Sequence, residues 1–143
     1  MSTLQPVRLA VYGTLMAGER NDVAGEALRS VIRVGPCKIP GTLYDAGAEQ
    51  RYPGLVLAGA GLVSGELWEL GATAAEAAGL LRALDRYEGY DACAPHSSEY
   101  VRHFVHLTEP PVGAWVYVLN KDPGAHNLAP IRSGDWRSYR AKA

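Results

Sequence analysis

Cysteine is scarce in this chain. Cys37 and Cys93 are the only two in 143 residues, and their separation matches no metal or redox motif. That excludes a disulfide-stapled secreted scaffold, and a reducing cytoplasm is the expected compartment. Long apolar runs are missing too. No stretch approaches the ~20 residues that span a bilayer. Met1 to Gln5 shows no basic start leading into an apolar segment, so no signal peptide is expected. Charge of one sign is also absent: 14 Lys and Arg against 15 Asp and Glu leave a formal net charge of -1. Such a balance creates no field to gather nucleic acid or an anionic membrane. Histidines do not cluster usefully. His103 and His106, three apart on an expected strand, point to opposite faces, and His96 and His126 fall in loops. Ser64, Ser97 and Ser98 lack the Gly-x-Ser-x-Gly elbow of serine hydrolases. No metal, nucleophilic triad or cofactor is expected.

What is present is globular. Hydrophobic residues make up 48% and charged residues 20%, and the length suits one domain over residues 1–143 with a core of its own. Sixteen Gly and nine Pro against a single Phe argue for turns and short strands over a helical bundle. Val7 to Tyr12 alternates and stops at Gly13, the pattern of a strand feeding a turn. Asn21 or Asp22 could cap a short helix through Leu28 and Val31. Proline and glycine at Pro36, Pro40 and Gly41 leave Cys37 to Ile39 and Thr42 to Asp45 as short strands at best. Tyr52-Pro53-Gly54 is a turn before apolar Leu55 to Leu57. Leu62 to Leu70 is a strand with large apolar groups on both faces, as expected inside a barrel wall covered by a helix. Strands over Tyr100 to Leu107 and Ala114 to Leu119 follow, and the tail beyond Pro123 reads as irregular, with Asp135 and Trp136 pinning it to the body.

One helix is marked at both ends. Thr73-Ala74-Ala75-Glu76 is a capping box, and Ala77, Leu80, Leu81 and Leu84 form the stripe that faces a core. Gly89 sits where a left-handed cap would end it. The next position on that stripe is Glu88. A glutamate is rarely buried without a partner, and the negative end of the helix macrodipole disfavours an anion there. Both effects raise a carboxyl pKa toward the range of a general base. The structural alternatives are that Glu88 turns outward past Leu84 or pairs with Arg82 or Arg86, although those arginines project to the far side of the helix.

The second feature is Tyr12-Gly13-Thr14-Leu15 at the end of the first strand. A strand ending in Gly and a small hydroxyl residue presents backbone N–H groups that can hold a carboxylate or oxyanion. It could equally be a plain turn. Gly13 to Gly18 has phosphate-loop spacing, but Glu19 stands where that motif needs Lys, which excludes nucleotide binding there.

Taken in order, these residues resemble a known family. Val11-Tyr12-Gly13-Thr14-Leu15 with Gly18 and Asn21, Tyr52-Pro53-Gly54, Gly65-Glu66-Leu67-Trp68 and Leu84-Asp85-x-x-Glu88-Gly89-Tyr90 are similar to the gamma-glutamylcyclotransferase family. Tyr100-x-Arg102, Ala114-x-Val116-Tyr117 and Ser133-Gly134-Asp135-Trp136 continue the match, which spans roughly Leu9 to Trp136. No single motif is specific; the ordered set is. The resemblance implies an α+β fold, a small mixed-strand β-barrel flanked by helices, with a cavity at one end. It also implies that the loop Tyr12, Gly13, Thr14 and Leu15 holds a gamma-glutamyl moiety and that Glu88 is the catalytic acid/base.

The implied partner is a small-molecule gamma-glutamyl substrate, with no nucleic acid and no membrane. Its own α-amine would attack the γ-carbonyl, releasing 5-oxoproline and a free amine. Oriented intramolecular attack is worth effective molarities of ~10⁵–10⁸ M, so one carboxylate suffices. Tyr100 and Tyr117, on strands the family uses to line its cavity, are candidate substrate contacts or plain packing residues. Glu66 is a second candidate inward carboxylate or a solvated one, Arg102 reads as structural, and Asp91 to Glu99 is a loop placed to cover the leaving amine. Two other functions fit the pattern: a non-catalytic small-molecule-binding barrel, and a related lyase or amidotransfer step on a non-glutamyl substrate.

Overall fold

Alternation from Val7 onward produces β1 (Arg8–Val11), the middle strand of the main sheet. The computed structural model describes residues 6–13, 31–47, 52–71 and 73–141. Strands β2 (Val31–Pro40), β5 (Leu62–Leu70), β6 (Tyr100–His106) and β7 (Gly113–Leu119) complete that sheet in the order β2-β5-β1-β7-β6. The β1–β7 pair is parallel and the others are antiparallel. A smaller sheet joins β3 (Thr42–Asp45) to β4 (Pro53–Val56) and to β8 (Ala129–Pro130). The α1 helix (Ala74–Glu88) follows β5, and the α2 helix (Trp136–Ala141) ends the described chain.

The fold is therefore α+β with a mixed sheet, but the sheet is not the closed barrel expected. Its edges, β2 and β6, do not pair along their lengths. Among the described residues they approach through one bridge, between Lys38 of β2 and Glu109 beyond β6, where the Lys38 N–H donates to the Glu109 carbonyl at 2.7 Å. Closure would need a continuous ladder of such bonds.

Proline gave a misleading signal in β2, which runs ten residues where only Cys37 to Ile39 was expected. Pro36 and Pro40 lack an N–H, but an edge strand has one side on which no ladder bond is required. The register shift between Arg33 and Gly35 absorbs the irregularity. The short helix expected from Asn21 or Asp22 lies outside the described residues, and its expected last residue, Val31, instead begins β2. The tail is not irregular either. Asp135 Oδ1 accepts from the Ser138 N–H at 3.2 Å and starts α2, whose Trp136 is 1% exposed and stacks on Tyr139 at 5.8 Å. The Tyr139 hydroxyl donates to Asp45 at 2.9 Å, so the tail is pinned as Trp136 suggested.

The core fills both faces of the central strands. Leu9, Ala10, Val11 and Tyr12 of the β1 segment and Leu67 and Trp68 of β5 are all buried. On α1 the buried residues are Ala77, Leu80, Leu81 and Leu84, the stripe read from the sequence. Each such leucine contributes about 1.5–3 kcal/mol by leaving water. No helix of the described residues is long and apolar enough to cross a membrane.

Candidate active site

The site begins at a helix end. Thr73 Oγ1 accepts from the Glu76 N–H at 3.1 Å and starts α1. At the other end Gly89 adopts φ 71 and ψ 33, the left-handed geometry that costs glycine least. The Gly89 N–H donates to the Arg86 carbonyl at 3.3 Å and the Tyr90 N–H to the Asp85 carbonyl at 2.8 Å. This paired arrangement is a Schellman motif. It halts the helix with Glu88 as its last residue, on the side of the buried stripe and facing a cavity.

The cavity has a volume of about 480 Å³ and is lined by the end of β1, the start of β4, the end of α1 and the inner faces of β6 and β7. Tyr12 and Gly13 come from the first, Tyr52 and Pro53 from the second, Tyr87, Glu88 and Gly89 from the third, Tyr100 and Tyr117 from the strands, and Glu99 from the loop just before β6. A side chain at Gly13 would run into the Pro53 ring. That close approach explains a glycine at the end of β1.

Of the five tyrosines that line this space, Tyr12, Tyr100 and Tyr117 each have a hydroxyl that already has a partner. Tyr12 donates to the Tyr117 carbonyl at 2.6 Å and accepts from the Leu55 N–H at 3.1 Å, tying β1, β4 and β7 together. Tyr100 donates to the Pro53 carbonyl at 2.6 Å, and Tyr117 donates to Asp85 Oδ1 at 2.7 Å. Burial holds all three phenols well above their ordinary pKa, and the Glu88 charge adds to the shift in each. They remain neutral at any physiological pH, and all three line the cavity.

Glu88 is different. Among the described residues it has no ion-pair partner, and Arg82 and Arg86 are exposed. Burial alone raises its carboxyl from an ordinary 4.5 to about 7. A group poised there takes and returns a proton near neutral pH.

Asp85, one helical turn earlier, has the opposite surroundings. Arg102 donates to it through Nε at 2.8 Å and through a terminal nitrogen at 3.1 Å, and Tyr117 supplies a third bond. Arg102 and Tyr117 are register partners on β6 and β7, so the two strands grip one helical carboxylate. The guanidinium also lies 4.5 Å from the Trp115 ring centroid. Arg102 is structural, as read from the sequence. Asp85 was not picked out there beyond its place in the Leu84-Asp85-x-x-Glu88 run, because spacing alone does not reveal a partner on another strand.

Of the residues expected at the site, Tyr12, Gly13, Glu88, Tyr100 and Tyr117 converge on the cavity, while Thr14 and Leu15 lie outside the described residues. Glu66 does not join them. It borders a separate cleft of about 220 Å³ with Ser64, Asp135 and Arg137. The Asp91 to Glu99 loop is held by Asn120, whose amide donates to the Pro95 and Ser98 carbonyls at 2.9 Å each. From that loop only Glu99 lines the cavity. Tyr52 also lines the cavity, although the sequence pattern marks it only as part of a turn.

Comparison with known proteins agrees with this architecture. A solved but uncharacterised protein from Pyrococcus horikoshii is 20% identical, with a TM-score of 0.65 over 95% of this chain and 94% of that one. The ytfP protein of Escherichia coli is 27% identical, with a TM-score of 0.62 over 94% and 99%. An AIG2-like protein from Mus musculus is 24% identical, with a TM-score of 0.63 over 90% and 88%. A search of curated proteins gave no match. The sequence model described as gamma-glutamyl cyclotransferase, AIG2-like, matches residues 9–138. With nearly its whole length matched, the chain belongs to the AIG2-like gamma-glutamyl cyclotransferase family.

Proposed function

We propose that the protein cyclises gamma-glutamyl amides, releasing 5-oxoproline and a free amine, with Glu88 as the general acid/base. The observation that carries this reading is Glu88 itself: a carboxylate at the helix end with no ion-pair partner among the described residues, facing a cavity and raised to about 7 by burial. A folded protein gains nothing from desolvating such a group, so its place is best explained by use.

The substrate lies bent in the cavity with its α-ammonium at Glu88. Glu88 removes a proton, and the freed amine nitrogen attacks the γ-carbonyl carbon, forming the lactam C–N bond. The backbone N–H of Gly13, after β1, stabilises the carbonyl oxygen in this reading as it becomes anionic. The amide C–N bond then breaks, and Glu88 returns its proton to the departing nitrogen. Over the whole reaction the α-nitrogen sheds two protons to become the lactam N–H, and the leaving nitrogen takes up two to depart as an ammonium. The neutral ring walls of Tyr12, Tyr100 and Tyr117 keep the chain folded over and exclude water, favouring intramolecular attack over hydrolysis.

A panel of gamma-glutamyl amines assayed for 5-oxoproline tests the reading directly. Turnover of at least one donor by the wild type is expected. Binding of donors without any product would favour a non-catalytic binding protein, and amine release without 5-oxoproline would favour a different amide-processing step.

A further inference from the structure

Tyr117 reads from the sequence as a substrate contact or a packing residue. Its hydrogen bonds give it a third place. Through its side chain it donates to Asp85 Oδ1 at 2.7 Å, near the end of α1. Through its main-chain carbonyl it accepts from the Tyr12 hydroxyl at 2.6 Å, at the end of β1. Those two chain segments bring Glu88 and Gly13 to the cavity, and Tyr117 lines it beside them.

Asp85 does not need that phenol as a counter-charge. Arg102 already reaches both of its oxygens, with Nε at 2.8 Å from Oδ1 and a terminal nitrogen at 3.1 Å from Oδ2. A two-point pair of this kind is complete in geometry and charge. Tyr117 adds a second donor to Oδ1, from β7, one helical turn before Glu88. The surroundings of Glu88 make its position decisive. The other titratable groups on the cavity are Tyr12 from the end of β1, Tyr52 beside β4, Tyr87 on α1 itself, Glu99 before β6, Tyr100 on β6 and Tyr117 on β7. Tyr12, Tyr100 and Tyr117 give their protons to the Tyr117 carbonyl, the Pro53 carbonyl and Asp85. Tyr52 gives its own to Glu99 at 2.8 Å, and Glu99 in turn lies 3.3 Å from Lys121. Burial is what raises Glu88, so a small turn of the helix end toward water changes both its reach and its proton affinity.

Resting on the cyclotransfer reading of this cavity, we propose that Tyr117 is a positioning residue for Glu88: its hydroxyl, acting through Asp85, holds the last turn of α1 so that the Glu88 carboxylate stays turned into the cavity. Arg102 supplies the counter-charge for Asp85, and Tyr117 fixes where the turn points. The role requires no contact between the phenol oxygen and the substrate. Loss of the hydroxyl therefore spares substrate binding and damages proton transfer.

The test compares Tyr117→Phe with Tyr100→Phe, using the gamma-glutamyl amine of the panel that the wild type turns over fastest. Each variant loses one hydroxyl bond of similar length, Tyr117 to Asp85 on α1 and Tyr100 to the Pro53 carbonyl at 2.6 Å. Tyr117→Phe keeps the ring and the pair between Asp85 and Arg102. Its kcat should fall about tenfold with KM changed by less than about twofold, as for a reacting group displaced by a fraction of an ångström. The acidic limb of its kcat/KM profile should move below 7, toward the ordinary carboxylate range, as Glu88 gains water. In Tyr100→Phe the limb should stay at about 7. A Tyr117→Phe variant with wild-type kcat, or limbs that behave alike in the two variants, overturns this inference and leaves the cyclotransfer reading standing. Should Tyr117→Phe fail to fold, Asp85→Glu decides, because it keeps the charge and both donors but lengthens the tie by one methylene. A lowered kcat is expected there, and an unchanged one refutes the proposal. A wild type that forms no 5-oxoproline from any donor overturns both readings.

Discussion

Two carboxylates three positions apart on α1 sit in opposite environments. Asp85 is gripped by Arg102 and Tyr117 through three hydrogen bonds, with only 14% of its side chain exposed. Glu88, one turn on, faces the cavity with no such partner among the described residues and is raised to about 7. The clamp ties the end of α1 to β6 and β7 one turn before Glu88, the proposed acid/base. A paired carboxylate is chemically quiet, and a desolvated one is poised to exchange protons.

That contrast can be broken at either end. The largest effect is expected from Glu88→Gln, which keeps the shape and removes the proton carrier. Its kcat should fall by about 10²–10⁴-fold in a 5-oxoproline assay, with the circular dichroism spectrum unchanged. Full activity would sink the mechanism.

The same substitution sharpens the contrast in a stability measurement. Because the folded carboxyl is raised from 4.5 to about 7, the folded state binds more protons than the unfolded state between those values. Wild-type stability should therefore fall as pH rises through that window, by roughly 3 kcal/mol in all. Glu88→Gln abolishes that slope, so urea titrations should show the variant gaining on the wild type from pH 4.5 to 7. The wild-type kcat/KM should in turn rise with pH through about 7, as the base form appears.

Breaking the clamp should act differently. Asp85→Asn leaves Arg102 partly buried without its counter-charge, and unfolding titrations should show a loss of about 2–3 kcal/mol. Activity should fall through a displaced Glu88, seen as a shifted acidic limb of the pH profile. The smallest effect is expected for Tyr12→Phe, which leaves the Leu55 N–H without its acceptor at a cost of about 1 kcal/mol. Its thermal midpoint should drop by a few degrees, with the cavity walls intact.

Local features were legible where physics is local. The apolar stripe of α1, its Thr73 cap and its Gly89 stop depend on residues within a few positions of each other, and all appear as read. The strand from Leu62 to Leu70 was equally plain, since its alternation and flanking turns are contiguous. The length of β2 was not, because whether Pro36 interrupts a strand depends on which edge of the sheet it occupies. Nor was α2, whose anchor, Trp136, is buried against distant parts of the chain. Glu66 shows the same limit. Its strand position left two faces open, and the packing of Asp135 and Arg137 beside it assigns it to a different cleft.

By itself the sequence determined that a carboxylate would end an apolar helical stripe, that a Tyr-Gly turn would close the first strand, and that the ordered motifs would carry one family's fold. Periodicity, capping and turn chemistry act over a few residues and need no tertiary context. The tertiary structure alone decided which carboxylates are paired and which are not. Asp85 finds Arg102 and Tyr117 17 and 32 residues away, and Tyr52 finds Glu99 at a separation of 47. Electrostatic environment is set by what long-range packing brings within a few ångströms, and that cannot be read from neighbours in the chain.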